Sequence, residues 1–439
     1  MALHPVPAPR APFEELTPPL TADQALAEAS RCLYCYDAPC IRACPTEIDI
    51  PTFIKKIATG NLVGSAKTIL EANVLGGSCA RVCPVEVLCE GSCVEKTLVK
   101  RPIQIGRLQR YATDYVLARG LDVLVPGAST GRSVGVIGAG PAGLGAAAEL
   151  RKQGHAVTLY DERALGGGLN TYAMAEYKQT AALAVAEAES VVRMGAELKL
   201  GVRVGLDVKF EELLEKHEAL FIGVGLGNTS RLGTPGDRLP HVHEALAWIE
   251  ELKKSPETVF RLSGKEAVVI GGGNTAIDAV TQARKLGAHA TLVYRRSEAN
   301  MSAYRYEIDL AREMGCHLLF ERAPLRIEPG VLVVSTPGGG EQRLSADLVI
   351  AAVGQQKRTD FLASIPSVTL DEKGRVIADP KTLQTGNPRI FAGGDCVNGG
   401  KEAVNAVAEG KKAARAIHAW FTANPAKPAN TAASQPERT

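Results

Sequence analysis

The sequence predicts an α/β protein in which a helical N-terminal domain precedes two Rossmann-like domains, the second inserted into the first. Three observations carry that prediction. Eight of the ten cysteines fall between Cys32 and Cys93. A short apolar strand, a glycine turn and an alanine-rich helix follow one another from Ser133. The same order recurs from Ala267, and two copies of one supersecondary unit imply two domains of one kind.

The totals agree. At 439 residues the chain has room for two or three domains of roughly 150 residues. Hydrophobic content of 45% and charged content of 22% are those of a globular protein. A net charge of +2 gives no electrostatic reason to expect nucleic acid or an anionic membrane as partner. No apolar run approaches the ~20 residues that cross a bilayer. The Pro-rich start lacks the basic-then-apolar order of a signal peptide. The expected location is the cytoplasm, where clustered cysteines serve as ligands rather than disulfides.

In chain order, residues 1–20 read as an extended leader within a helical domain over 1–125. Thr21 is an N-cap candidate before good helix formers that run into Cys32. Phe53, Ile54, Ile57, Ala66, Ile69 and Leu70 recur at helical period, which places the cysteines on loops. Pro126-Gly-Ala-Ser-Thr-Gly131 marks a boundary. The first dinucleotide domain is expected over 126–255 and again over 342–422, around an insert at 256–341. Its second part carries the short strands Leu348–Val353 and Ile390–Asp395 and a helix from Ala403 to Trp420. Residues 423–439 read as a disordered tail.

Gly138, Gly140 and Gly143 stand where a Rossmann fingerprint needs a tight turn, a close backbone approach to pyrophosphate, and close helix–strand packing. The helix N-terminus offers free N–H groups to the phosphates. Asp161 ends the next strand, where an acid accepts hydrogen bonds from a ribose diol. FAD at this site is suggested by two further segments. Gly168-Leu169 would bring a backbone turn against the pyrophosphate. Gly394-Asp395, followed by Ala403-Val404 opening a helix, resembles the second FAD motif of flavoproteins with two dinucleotide domains. The insert carries Gly271, Gly273, Asn274 and Ala276, a G-x-G-x-x-A variant for NAD(P)H. Its strand-end acid is replaced by Arg295 and Arg296, with Arg305 further on; such arginines suit a 2′-phosphate or are solvated charges, so NADH and NADPH both stay open.

Cys32, Cys35, Cys40 and Cys44-Pro45 differ in one gap from a bacterial ferredoxin run, and Cys79, Cys83-Pro84, Cys89 and Cys93 add four thiols. Two 4Fe–4S clusters need eight ligands. Structural zinc favours paired Cys-x-x-Cys half-sites, and only one occurs here. No cysteine pair lies near Gly168 or after Ala276, which excludes a disulfide reductase. Cys316 and Cys396 read as ordinary buried cysteines.

Asp37-Ala-Pro-Cys40, Cys44-Pro-Thr46, Leu88-Cys89-x-Gly91-x-Cys93 and Pro102-Ile-Gln-Ile-Gly106-Arg-Leu-Gln109 carry a family resemblance. Over nearly its whole length the chain resembles the small subunit of glutamate synthase and its relatives. Within that group it is most similar to the FAD/iron–sulfur subunits of bacterial NAD-dependent dihydropyrimidine dehydrogenase. The resemblance implies one cluster on Cys32, Cys35, Cys40 and Cys93 and another on Cys44, Cys83, Cys89 and Gln109, with Cys79 a bystander. The alternative makes Cys79 the eighth ligand. Gln109 discriminates between branches, since glutamate synthase subunits have a glutamate there. Two departures stand out: Glu176-Tyr-Lys178 replaces a Tyr-Arg-Leu-Pro run near the flavin, and Arg295-Arg296 sits uneasily with NAD dependence. The implied role is electron input from NAD(P)H through FAD and two clusters, with no general acid or base in this chain. The implied partner is an FMN- and iron–sulfur-containing catalytic subunit that reduces uracil or thymine, in a heterotetramer. The alternatives are an NADPH-dependent glutamate synthase small subunit and a stand-alone NAD(P)H:ferredoxin-type reductase.

Overall fold

A computed structural model describes residues 13–254 and 262–425. The start of the leader, the expected boundary at 256 and all of the expected tail past residue 425 lie outside the described residues.

The N-terminal domain is built from α1 (Ala22–Ser30), α2 (Pro39–Ala43), α3 (Ile50–Ala58), α4 (Leu62–Ala72), α5 (Gly76–Val82), α6 (Val94–Leu98) and α7 (Ile105–Ala118). Side chains set the helix starts. Thr21 and Gln24 form a reciprocal capping box on α1, and Asp49 and Asn61 accept the N–H groups of Thr52 and Gly64. The helical period around Phe53 to Leu70 is split in two at Gly60, whose φ of +76° favours glycine. The resulting hairpin packs Phe53, Ile54 and Ile57 against Ala66, Ile69 and Leu108. Its fold-back brings the two cysteine groups together. Six of those eight cysteines lie between helices as expected, whereas Cys40 falls inside α2 and Cys79 inside α5.

The leader is a strap. Phe13 is fully buried in a core shared with Tyr177 and Trp248, and the Leu16 N–H donates to the Tyr177 carbonyl at 3.0 Å. Glu15 pairs with Arg110 of α7 and lies 3.7 Å from Arg81 of α5. The leader thus ties the helical domain to the segment that ends up beside the insert.

The first Rossmann unit comprises β1 (Ser133–Ile137), α8 (Pro141–Lys152), β2 (Ala156–Asp161), α9 (Leu169–Tyr172), α10 (Ala181–Arg193), β3 (Glu197–Leu200), α11 (Phe210–Lys216) and β4 (Ala219–Ile222). The insert follows with β5 (Val242–Glu244), α12 (Ala245–Lys254), β6 (Glu266–Gly271), α13 (Asn274–Lys285), β7 (His289–Tyr294), α14 (Arg305–Glu313) and β8 (His317–Phe320). An antiparallel sheet of β9 (Pro324–Glu328), β10 (Val331–Ser335) and β11 (Glu341–Ser345) precedes β12 (Leu348–Ala352). The chain then returns through α15 (Thr359–Ala363), β13 (Ile390–Ala392), α16 (Asp395–Asn398) and α17 (Ala403–Ala423).

Two five-stranded parallel sheets result, ordered β13-β4-β1-β2-β3 and β5-β12-β6-β7-β8. This corrects the expected boundaries of the insert. β5 and β12, which the sequence reading placed in the flanking domain, belong to the inserted sheet, where Leu348–Ala352 pairs with Ala267–Gly271. A fully buried parallel strand is a continuous apolar run that reads alike in either domain, and only its pairing decides. The chain crosses between domains where Gly227 donates to the Gln356 carbonyl at 2.8 Å and Thr229 bridges Gln355.

Candidate cofactor sites

A cavity of about 610 Å³ opens at the carboxyl ends of β1, β2 and β4 and is lined by Gly138, Gly140, Asp161, Gly168, Asp395 and Ala403 among others. Its size and its position at the strand ends suit a dinucleotide. The glycines do there what the fingerprint requires. A Cβ on Gly143 would lie 1.8 Å from the Gly138 carbonyl oxygen, so the third glycine sets helix–strand contact. A Cβ on Gly140 would meet nothing closer than 3.7 Å and would project beside the cavity, leaving the space a pyrophosphate needs. Gly168, at φ +58°, approaches the Gly140 backbone so closely that its own Cβ would lie 2.7 Å from that Cα. Leu169, which opens α9, lines the same cavity.

Asp161 accepts the N–H of Ala139 at 2.7 Å and of Arg163 at 2.8 Å. Burial raises its pKa, while those two hydrogen bonds act in the opposite sense. Asp395 accepts the Lys401 N–H at 3.2 Å, and burial raises its pKa too. Gly394 lines the cavity and donates its N–H to Glu409 at 2.6 Å. Several lining residues escaped the sequence reading. The alternating Gly223, Gly225 and Gly227 after β4 were a legible signal; Arg358, which bonds Glu162 at 2.7 Å across the cavity, carried none.

One residue moves between sites. Ala403 and Ala406 line the dinucleotide cavity as expected of the α17 N-terminus, but Val404 lines a cysteine cavity instead. Successive residues of a helix point about 100° apart, so the two faces of one turn serve two neighbours.

In the inserted domain, Gly273 is the N-cap of α13 and Ala276 is fully buried. A Cβ on Gly272 would enter the Tyr294 ring at 2.3 Å. Asn274 accepts the Tyr304 N–H at 3.0 Å, and the Tyr304 hydroxyl donates to Glu402, just before α17, at 2.7 Å. The turn of the second fingerprint is thereby connected to the helix that faces the first site. Arg295 and Arg296 are exposed just beyond β7, with no carboxylate at ion-pair distance among the described residues. Arg305 is occupied by Glu298 at 2.6 Å and Asp309 at 3.1 Å.

The Glu176–Lys178 departure has a structural reason. These residues join domains rather than touch the dinucleotide cavity. Tyr177 is fully buried and donates to Asp278 of α13 at 2.9 Å. Lys178 pairs with Asp278 at 2.7 Å and Glu307 of α14 at 2.6 Å, while Glu176 pairs with Lys253 of α12 at 2.9 Å. Burial pushes the Lys178 pKa down, but the two carboxylates more than offset this and it ends raised. Burial and the charge of Asp278 raise Glu307.

The cysteines gather in two cavities. Cys32, Cys35, Cys40 and Cys93 line one; Cys44, Cys79, Cys83, Cys89 and Gln109 line the other. Each draws on both halves of the cysteine-rich stretch. Among the described residues no three His, Cys, Asp or Glu side chains converge as a single metal ion requires. A zinc ion would hold its sulfurs about 2.3 Å away; thiols spread around a cavity fit a polynuclear cluster better. Gln109 is buried, and its Nε2 donates to the Gly76 carbonyl at 2.7 Å, which fixes the amide and leaves its oxygen as the group able to act as a ligand. Cys79 accepts from Asn73 Nδ2 at 3.1 Å. Both residues therefore stand at the second cavity. Its helix α5 is fastened to the flavin-side domain by Glu187 of α10, which accepts the N–H groups of Gly77 at 2.8 Å and Ser78 at 3.0 Å. Cys316 and Cys396 are buried away from both cavities, as expected.

Comparison with known proteins follows the same division. Residues 9–121 match the family described as dihydropyrimidine dehydrogenase domain II, 4Fe-4S cluster, and residues 132–410 match pyridine nucleotide-disulphide oxidoreductase. The chain is 37% identical over 411 residues to the NAD-dependent dihydropyrimidine dehydrogenase subunit PreT of Escherichia coli (strain K12), covering 93% of this chain and 97% of that one. It is 35% identical over 444 residues to the glutamate synthase [NADPH] small chain of the same organism, covering 93% and 94%. Thioredoxin reductase of T. acidophilum shares the fold at a TM-score of 0.55 and 21% identity, over 66% of this chain and 98% of that one. No cysteine lines the dinucleotide cavity, so the reductase likeness is one of fold. The dinucleotide cavity, the glycine turn before α13 and the two cysteine cavities suit FAD, NAD(P)H and 4Fe–4S clusters.

Proposed function

Since this chain belongs to the family of flavin and iron–sulfur oxidoreductases that includes dihydropyrimidine dehydrogenase subunit PreT and the glutamate synthase small chain, we propose that it is the electron-input subunit of a dihydropyrimidine dehydrogenase. The chain's dinucleotide sites would hold FAD beside NAD(P)H, which would supply hydride transfer, and its cysteine cavities would hold two 4Fe–4S clusters, which would supply one-electron transfer. The acceptor in this reading is a partner subunit with FMN and further clusters, which reduces uracil or thymine to the 5,6-dihydro form within a heterotetramer.

One observation carries the reading: the first turn of α17 lines the dinucleotide cavity with Ala403 and the second cysteine cavity with Val404. Adjacent residues of one helix thus separate hydride chemistry from single-electron chemistry. The residues of this chain bind and align. Gly138, Gly140, Gly143 and Gly168 shape the approach to a pyrophosphate, Asp161 takes the ribose, and Asp395 and the α17 N-terminus take the flavin side. Gly271, Gly273 and Ala276 form the nicotinamide-dinucleotide turn, and Arg295 and Arg296 offer a 2′-phosphate two cations. Cys32, Cys35, Cys40 and Cys93 hold one cluster, and Cys44, Cys83, Cys89 and Gln109 the other. A glutamine among the ligands is what favours the pyrimidine branch over the glutamate synthase one. The exposed Arg295–Arg296 pair, without a carboxylate partner among the described residues, is the observation on the other side, since it suits an NADPH-dependent small chain.

Purification of the native complex tests this. The expected result is about eight iron atoms per chain, one FAD, dye reduction with NADH or NADPH, and a co-purifying FMN-containing subunit that makes the complex reduce uracil. Zinc in place of iron, or a glutamine-dependent amidotransferase as partner, would overturn it.

A further inference from the structure

Lys411 lies midway along α17, with its ammonium enclosed between the flavin-side domain and the helical domain; the residue is 9% exposed. Nζ donates to the Thr46 carbonyl at 3.2 Å and to the Ala72 carbonyl. Ala72 is the last residue of α4, so that carbonyl belongs to the negative end of a helix dipole. Thr46 lies two residues from Cys44, and its hydroxyl oxygen is 3.3 Å from the Cys44 sulfur. A charged side chain of one domain therefore reaches into the loop that supplies a cluster thiolate in the other.

Among the described residues no carboxylate stands at ion-pair distance from Lys411. Glu149, on the facing helix α8, is already engaged by Lys152 at 2.5 Å and Arg415 at 2.8 Å. Burial lowers the Lys411 pKa to about 8, which leaves the ammonium protonated at neutral pH. A buried cation held only by carbonyls is costly unless an anion lies close by. Three thiolates around an iron–sulfur core carry net negative charge, and Cys44 is one of them.

We propose that Lys411 is the built-in countercharge of the cluster held by Cys44, Cys83 and Cys89, and that it raises the reduction potential of that cluster selectively. The inference rests on the iron–sulfur assignment of the cysteine cavities. Reduction adds one electron, delivered from NAD(P)H by way of FAD, and makes or breaks no bond. It increases the negative charge of the cluster, so a fixed nearby cation stabilises the reduced form more than the oxidised form. Lys411 is in these terms a positioning residue for electron flow, acting through charge on the cluster nearer the flavin cavity.

Redox titration of the intact, fully loaded chain, followed by the EPR signals of the two reduced clusters, tests this in the wild type and in Lys411→Gln, Lys411→Met and Lys411→Arg. The signal lost in Cys83→Ser identifies the cluster concerned. The expected result is a shift of that one midpoint to more negative potential in the Gln and Met variants. Lys411→Arg keeps it near the wild-type value, and the other cluster and FAD stay unmoved. Unchanged potentials, or equal shifts of both clusters, would overturn the proposal. Loss of the cluster in both neutral variants with FAD retained would make Lys411 a structural strut and would overturn it as well. A wild-type chain with neither signal would overturn the cluster assignment itself.

Discussion

Removing the Lys178 ammonium is the sharpest test of how the two dinucleotide domains are held together. Lys178 bridges Asp278 and Glu307, and the three side chains are 12%, 8% and 7% exposed. Lys178→Met keeps most of the aliphatic stem and leaves two buried carboxylates facing one another. Deleting one partner of a buried ion pair costs about 3–5 kcal/mol. Protonation limits that cost. Glu307 is already raised by burial and by Asp278, and loss of the lysine raises it further. The folded variant then holds a proton that the unfolded chain has released, so its stability falls as pH rises. Between the Glu307 pKa of the wild type and that of the variant, the deficit grows by up to about 1.4 kcal/mol per pH unit. Urea unfolding followed by fluorescence in a Trp420→Phe background, where Trp248 in the inserted core is the remaining one of two tryptophans, reads this directly. The expected loss is larger at about pH 8 than at about pH 6, and Lys178→Met/Glu307→Gln removes the difference. A loss below about 1 kcal/mol, or one independent of pH, would refute the reasoning.

Three further outcomes follow from the same geometry. Gly140→Ala should fold normally and lose at least about tenfold in FAD affinity by crowding the phosphate approach, about 1.4 kcal/mol, whereas Gly143→Ala should fail to fold, its Cβ meeting a carbonyl at 1.8 Å; flavin absorbance and circular dichroism separate the two. Cys83→Ser and Gln109→Leu should each reduce iron from about eight to about four atoms per chain while Cys79→Ser retains it; equal losses at Cys79 and Cys83 would make Cys79 the ligand. Replacing both Arg295 and Arg296 by glutamine should raise the KM for NADPH by about tenfold and leave that for NADH nearly unchanged, since each lost phosphate contact weakens only the 2′-phosphorylated coenzyme.

The kinds of site and their order were legible in the amino-acid sequence. Glycine spacing after an apolar strand reflects contacts within one βαβ unit, where neighbours in sequence are neighbours in space, so both fingerprints were legible at Gly138 and Gly271. Gly60 and the caps at Thr21, Asp49 and Asn61 are local in the same way. Tertiary structure decided whatever depends on distant pairing. Strands β5 and β12 joined the inserted sheet because a buried apolar run does not state which strand it bonds. Val404 left the dinucleotide cavity for the cysteine cavity because the face a helix residue presents matters only once both neighbours are packed. Nothing in the sequence marks Lys178, Glu187 or Lys411 as enclosed; each is so because a second domain supplies its partners, and a boundary between domains has no period to read.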